Sequence, residues 1–140
     1  MASIIYRAMI PLDPRTKKNH SQIFVKKEWK NGKLINIPFI VPSAEYKEYE
    51  KDALWFLNPV GIDYPVNIQC LFYMKTRRRV DMVNLLESIL DIMVKKGTIT
   101  DDCRNIVYSM DGSRVLYDKN NPRTEIIITK AEGVQSWAKK

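Results

Sequence analysis

The run DMVNLLESILDIMVKK, residues 81–96, constrains the fold more than any other stretch. Met82, Leu85, Leu86, Ile89, Leu90 and Met93 recur at spacings of three and four, so a helix gathers them on one apolar face. Asp81 stands where an N-cap residue belongs, and Lys95 and Lys96 fall in the last turn, where the helix dipole favours cations. Gly97 follows, at the position that takes a left-handed conformation when a helix stops. A helix striped in this way must bury its apolar face, and the rest of the chain offers strands to receive it.

The segment IIYRAMIP, residues 4–11, reads as a first strand with Ile4, Tyr6, Ala8 and Ile10 on one side. A polar, basic loop, LDPRTKKNHSQ, comes next. IFVKKEWK and KLINIPFIV then flank Asn31-Gly32, the strongest short signal for a hairpin, because both turn residues must take positive φ. Pro38 makes the second arm an edge strand or ends it early. Ser43 caps a first helix, with Glu45 in its first turn and Tyr46, Tyr49, Ala53, Phe56 and Leu57 directed at the core; Asn58-Pro59 stops it. PVNIQCLFYM, residues 65–74, is a strand that faces Val66, Ile68, Cys70 and Phe72 inward. RNIVYSM and RVLYD, separated by a DGS turn, precede a last strand, TEIIITK. Strands mixed with two helices predict an α/β (α+β) two-layer sandwich. It has a mixed β-sheet, two main helices on one face and an early β-hairpin. A single domain is expected over residues 1–130, with 131–140 as a loose tail.

The chain of 140 residues is 45% apolar and 28% charged, ordinary for one globular domain. No apolar run approaches a membrane span, and the N-terminus lacks the apolar block of a signal peptide, so a cytoplasmic location is expected. Cys70 and Cys103 fit no metal-ligand spacing and are expected as reduced thiols. His20 is the single histidine, which removes His-rich zinc sites and most His-based catalysis. A net charge of +7 points to a polyanionic partner through counterion release from phosphates.

Three clusters carry chemistry: Lys17-Lys18-Asn19 in the first loop, Arg77-Arg78-Arg79 with Asp81, and the pair Asp101-Asp102. On the helix, Asn84, Ser88, Asp91 and Lys95 continue a polar stripe from Asp81, with Glu87 beside it. That stripe is either the solvated face of an amphipathic helix or one wall of a site. Taken together, the clusters suit a metal–phosphate site. Mg²⁺ needs carboxylate oxygens, and basic residues offset their repulsion of a phosphate backbone.

These residues resemble the RusA-type Holliday junction resolvases of bacteria and their prophages. The likeness runs over most of the chain. It is carried by the loop Pro14 to Gln22 with Lys17, Lys18 and Asn19, by PSAEYKEYEKDALW, and above all by RRVDMVNLLESILDIMVKKGTITDD, residues 78–102. The resemblance implies a compact α/β homodimer that binds four-way or branched DNA in recombination and repair. It would cut two strands symmetrically with Mg²⁺ (Mn²⁺ able to substitute), without a nucleotide cofactor or membrane. Carried over by position, the first aspartate of the family pattern falls on Asp81, its asparagine on Asn84 and its late aspartate on Asp102, with Asp101 adjacent. The second aspartate falls on Val83 and a helix lysine on Glu87. The expectation is that Asp81 and Asp102, with Glu87 or Asp101, hold the metal; Asp91 and Asp111 are further candidates. Lys17 or Lys18 would stabilise developing charge, and Asn19, Asn84, Arg77, Arg78 and Arg79 would help grip DNA. Two rivals accompany it: a branched-DNA binder that has lost metal ligation, and a single-strand or RNA binder stacking bases on Tyr6, Trp29 or Trp55.

Overall fold

Alternation of apolar and polar residues builds the central sheet. β4 (Val66–Met74) buries every second residue, from Val66 through Ile68, Cys70 and Phe72 to Met74. The computed structural model describes residues 3–17, 22–41 and 43–135. Along the chain, β1 (Ile4–Ile10), β2 (Gln22–Lys30) and β3 (Lys33–Val41) precede α1 (Ala44–Ala53), which tightens into a 3₁₀ turn over Leu54–Phe56. β4, α2 (Met82–Lys96), β5 (Val107–Ser109), β6 (Arg114–Tyr117) and β7 (Arg123–Lys130) complete it. The mixed α+β architecture expected from the sequence is the one observed.

The main sheet has five strands. β7 lies between β1 and β4 and is antiparallel to both. The other edge of β4 pairs in parallel with two short strands placed end to end, β5 beside Val66–Asn67 and β6 beside Leu71–Met74. Register sets Ile68 against Ile128, Cys70 against Ile126 and Phe72 against Thr124, and all six are buried. Tyr49, Ala53, Leu85, Ile89, Ile92 and Met93 from the two helices join the same core. β2 and β3 form a separate two-stranded sheet. Asn31 and Gly32 both have positive φ, 52° and 76°, as the hairpin reading required. Pro38 sits within β3, whose only strand partner among the described residues is β2.

Two inward assignments change. Phe56 is 42% exposed although the helical spacing turned it to the core. The chain narrows at Leu54 into a 3₁₀ turn, which advances about 120° per residue instead of 100°, so Phe56 swings out. On α2 the buried face is Leu85, Ser88, Ile89, Ile92 and Met93, while Met82, Leu86 and Leu90 are only half-buried. The burial has shifted toward the polar stripe because the loop after β1 covers Ser88, as described below. Of the expected tail, residues 136–140 lie outside the described residues, and 131–135 carry no helix or strand. Among the described residues, no helix is long and apolar enough to cross a membrane.

Candidate functional site

The loop after β1 is stapled to the far end of β4. Asp13 accepts the backbone N–H of Lys75 at 2.9 Å and the Arg78 guanidinium at 3.0 Å. Arg78 also donates to the Pro14 carbonyl at 2.7 Å and to the Thr76 hydroxyl at 3.2 Å. The middle arginine of the triplet, expected to grip DNA, is therefore tied inward to the loop after β1. Arg77 and Arg79 remain exposed, and the Arg77 guanidinium lies 4.7 Å from the centre of the Tyr117 ring on β6.

Fixing the loop at Asp13 and Pro14 carries Lys17 onto α2. Its backbone N–H donates to Ser88 Oγ at 3.2 Å, and its ammonium donates to Asp91 Oδ2 at 2.8 Å. The same ammonium lies 6.0 Å from the centre of the buried Tyr46 ring. The polar stripe of α2 is thus covered at Ser88 and partly at Asp91, while Asp81 and Lys95 at its ends stay exposed. Lys95, one turn beyond Asp91, pairs with Glu50 of α1. The Tyr46 hydroxyl is buried without a hydrogen-bond partner. Burial first, and the Glu50 carboxylate second, push its pKa far above that of an ordinary phenol. Lys18 and Asn19 lie outside the described residues.

The third wall comes from the turn after α2. Gly97 takes φ 83°, and its N–H closes the helix onto Met93 and Val94. The chain is then clamped to the segment before β4. Gly61 N–H donates to the Gly97 carbonyl at 2.8 Å, Ile62 N–H to Thr98 at 3.0 Å and Thr100 N–H to Ile62 at 3.0 Å. Thr98, fully buried, adds a hydroxyl bond to the Asn58 carbonyl. The paired acids follow this anchor and divide their roles. The Asp101 carboxylate accepts the N–H of Asp102 at 2.7 Å, while Asp102 lines a cleft together with Lys17, Asp91, Val94 and Lys95.

This cleft, about 320 Å³ and open to solvent, joins the loop after β1 to the C-terminal half of α2 and the turn that follows it. Asp81, Asp101 and Glu87 are not among its described lining residues. Asp81 occupies the N-cap position with extended backbone (φ −89°, ψ 124°), but its carboxylate makes no capping bond. It is exposed, and the capping half of its expected role is not made. Val83 is 72% exposed on the outer side of α2. Glu87 is also exposed, one turn from Val83 toward Asp91. Asn84 is half-buried, and its N–H bonds to the Asp81 carbonyl at 3.1 Å.

The expected ligand trio Asp81, Asp102 and Glu87 is not gathered: among the described residues no group of three His, Cys, Asp or Glu side chains stands ready for a metal. Two carboxylates, Asp91 and Asp102, do share the cleft. That donor set suits Mg²⁺, which commonly takes one or two protein carboxylates and completes its shell with water and phosphate. Asp91 had a sequence signal, its place on the polar stripe. Lys95 shared that signal, whereas Tyr46 and Glu50 had none, since only the packing of α1 against α2 brings them to the site.

The cleft thus sets two carboxylates, Asp91 and Asp102, beside two lysines, Lys17 and Lys95. No family model matches the chain. Over 85 residues it is 28% identical to the crossover junction endodeoxyribonuclease RusA of Aquifex aeolicus (strain VF5). The match covers 58% of this chain and 61% of that protein, so it spans less than two-thirds of its relative.

Proposed function

We propose that this protein is a structure-specific endodeoxyribonuclease that acts on branched DNA, with Holliday junctions as its substrate, in cytoplasmic recombination and repair. The observation that carries the reading is the convergence of Lys17, Asp91 and Asp102 on one cleft, within a chain partly similar to a crossover junction endodeoxyribonuclease. Mg²⁺, when bound, supplies Lewis acidity and a water activated for attack on the phosphodiester. Asp102 and Asp91 are the residues that would hold it. Lys17, which donates to Asp91, would balance charge on the scissile phosphate. Arg77 and Arg79 position the backbone without reading sequence. Paired symmetric nicks require two such sites about a two-fold axis, hence a homodimer.

A second reading has its own observation. Val83 stands exposed where the resemblance expects an acid, and no three-carboxylate group is formed among the described residues. On that reading the protein binds branched DNA without cutting it. A synthetic four-way junction incubated with and without Mg²⁺ separates the two. The nuclease reading expects two nicked duplexes with Mg²⁺, a loss of roughly 100-fold or more in rate for Asp102→Asn, and a smaller loss for Asp101→Asn. Tight binding with no cleavage at any divalent metal establishes the second reading, and undiminished cleavage by Asp102→Asn removes this cleft from the mechanism.

A further inference from the structure

The β2–β3 hairpin stands apart from the main sheet and exposes an unusual surface. Strand alternation and register place Val25, Lys27 and Trp29 of β2 on one face with Pro38, Asn36 and Leu34 of β3, and all six residues are exposed. Trp29 is 73% exposed, Val25 59% and Leu34 48%. Nine residues per strand at about 3.4 Å each make an arm roughly 30 Å long. An isolated two-stranded hairpin is marginal in water, and Val25, Trp29, Leu34 and Phe39 of this one are exposed, so its composition is better explained by a partner than by the fold.

Charge identifies the partner. The arm carries Lys26, Lys27, Lys30 and Lys33 against Glu28, a net of four minus one, or +3. Glu28 is engaged by Lys26 at 2.9 Å. At the tip, Lys30 lies directly opposite Lys33 in the ladder. A like-charge cross-strand pair is unfavourable in the free hairpin and is relieved by a polyanion. Two copies of the arm would repel each other, which disfavours self-association. The tryptophan supplies what the lysines do not: a flat, exposed ring beside Lys27 on the same face, at the position paired with Leu34 just before the turn. Aromatic rings flanked by cations hold single-stranded nucleic acid by stacking on bases, and a paired duplex hides those faces. The arm also grows from the loop that carries Lys17, with only residues 18–21 between Lys17 and Gln22. That stretch spans at most about 18 Å, so a strand held in the cleft lies near the base of the arm.

We infer that the β2–β3 hairpin is a DNA-binding arm that stacks Trp29 on an unpaired or unstacked base at the branch point while its lysines hold the adjoining phosphates. The inference rests on the branched-DNA reading above and names the element that distinguishes a branch from a duplex. The test is fluorescence anisotropy of the full chain on a four-way junction and on a duplex of matched sequence, in EDTA to prevent cleavage, with 2-aminopurine at the branch in a parallel sample. Trp29→Ala is expected to weaken junction binding roughly 5- to 150-fold and to leave duplex binding within about twofold, with Trp29→Phe recovering most of the loss. Lys30→Ala should reduce the salt dependence on both DNAs by about one phosphate contact. Junction affinity unchanged in Trp29→Ala overturns the inference, as does an equal loss on both DNAs. A preference of the wild-type arm for anionic vesicles over junction DNA also overturns it. Trp29-dependent junction binding without Mg²⁺-dependent cleavage sinks the nuclease reading and leaves the arm standing. Cleavage that ignores Trp29 does the reverse.

Discussion

Three adjacent arginines of one loop should behave as two different kinds of residue, and Arg78→Ala is the perturbation that shows it. Arg78 gives one bond to Asp13 at 3.0 Å, one to Pro14 at 2.7 Å and one to Thr76 at 3.2 Å, with its side chain 29% exposed. Charge-assisted bonds of this kind are worth about 1.5 kcal/mol each when well sheltered, and partial exposure reduces that. Asp13, 13% exposed, would keep the Lys75 N–H at 2.9 Å and a looser contact to Arg15 at 3.5 Å, so its carboxylate is not left wholly uncompensated. The net loss is on the order of 2 kcal/mol, which for a domain of this size lowers Tm by about 8 °C. Arg79→Ala, which removes an exposed side chain, should stay within about 0.5 kcal/mol, or some 2 °C. The assay is thermal unfolding by circular dichroism of both variants, joined by a double-mutant cycle of Arg78→Ala with Asp13→Asn. Binding should invert the order. Arg77→Ala and Arg79→Ala should each cut the salt slope of DNA binding by about 0.9, with Arg78→Ala changing it less. If Arg78→Ala melts within 2 °C of Arg79→Ala and couples to Asp13 by less than about 0.3 kcal/mol, the inward tie has no energetic reality.

Two further outcomes follow from burial. Tyr46→Phe removes a buried hydroxyl that has no hydrogen-bond partner, so it should raise stability by about 1 kcal/mol in urea unfolding; a loss of similar size would mean that the hydroxyl is satisfied, with Glu50 the nearest candidate. Cys70 is buried and its thiol is pushed up to about 12 by burial, whereas Cys103 is exposed, so a thiol-disulfide reagent at pH 8 should titrate one fast thiol in the native protein and the second only on unfolding.

Local features were readable from the chain because their causes are local. Asn31-Gly32 can turn with positive φ at both residues, and Gly97 can end a helix left-handed, whatever surrounds them. Alternation in β4 gave the right inward set, Val66 through Phe72. The site was only half visible. Its acids and lysines stand out as clusters, but which of several carboxylates meet is a property of long-range packing. Asp101 and Asp102 are neighbours in sequence, yet the Asp101 carboxylate accepts the Asp102 N–H while Asp102 lines the cleft. Ser88 and Asp91 looked like part of a solvated stripe because nothing near them in sequence says that Lys17, more than seventy residues earlier, will lie across them. Arg78 differs from Arg77 and Arg79 only in where the loop turns it.

The place of β7 between β1 and β4 governs the order in which the molecule can assemble. β1 leads the chain but finds its sheet partner only in residues 123–130. Until that strand exists, β1 has no ladder to join, and the loop that delivers Lys17 to α2 is held on its N-terminal side only by the ties of Asp13 and Pro14 to Lys75 and Arg78. α1, β4 and α2 can collapse on one another during synthesis, before β1 has found its place in the sheet. The sheet that anchors the start of that loop is therefore complete only once residues 123–130 have been made.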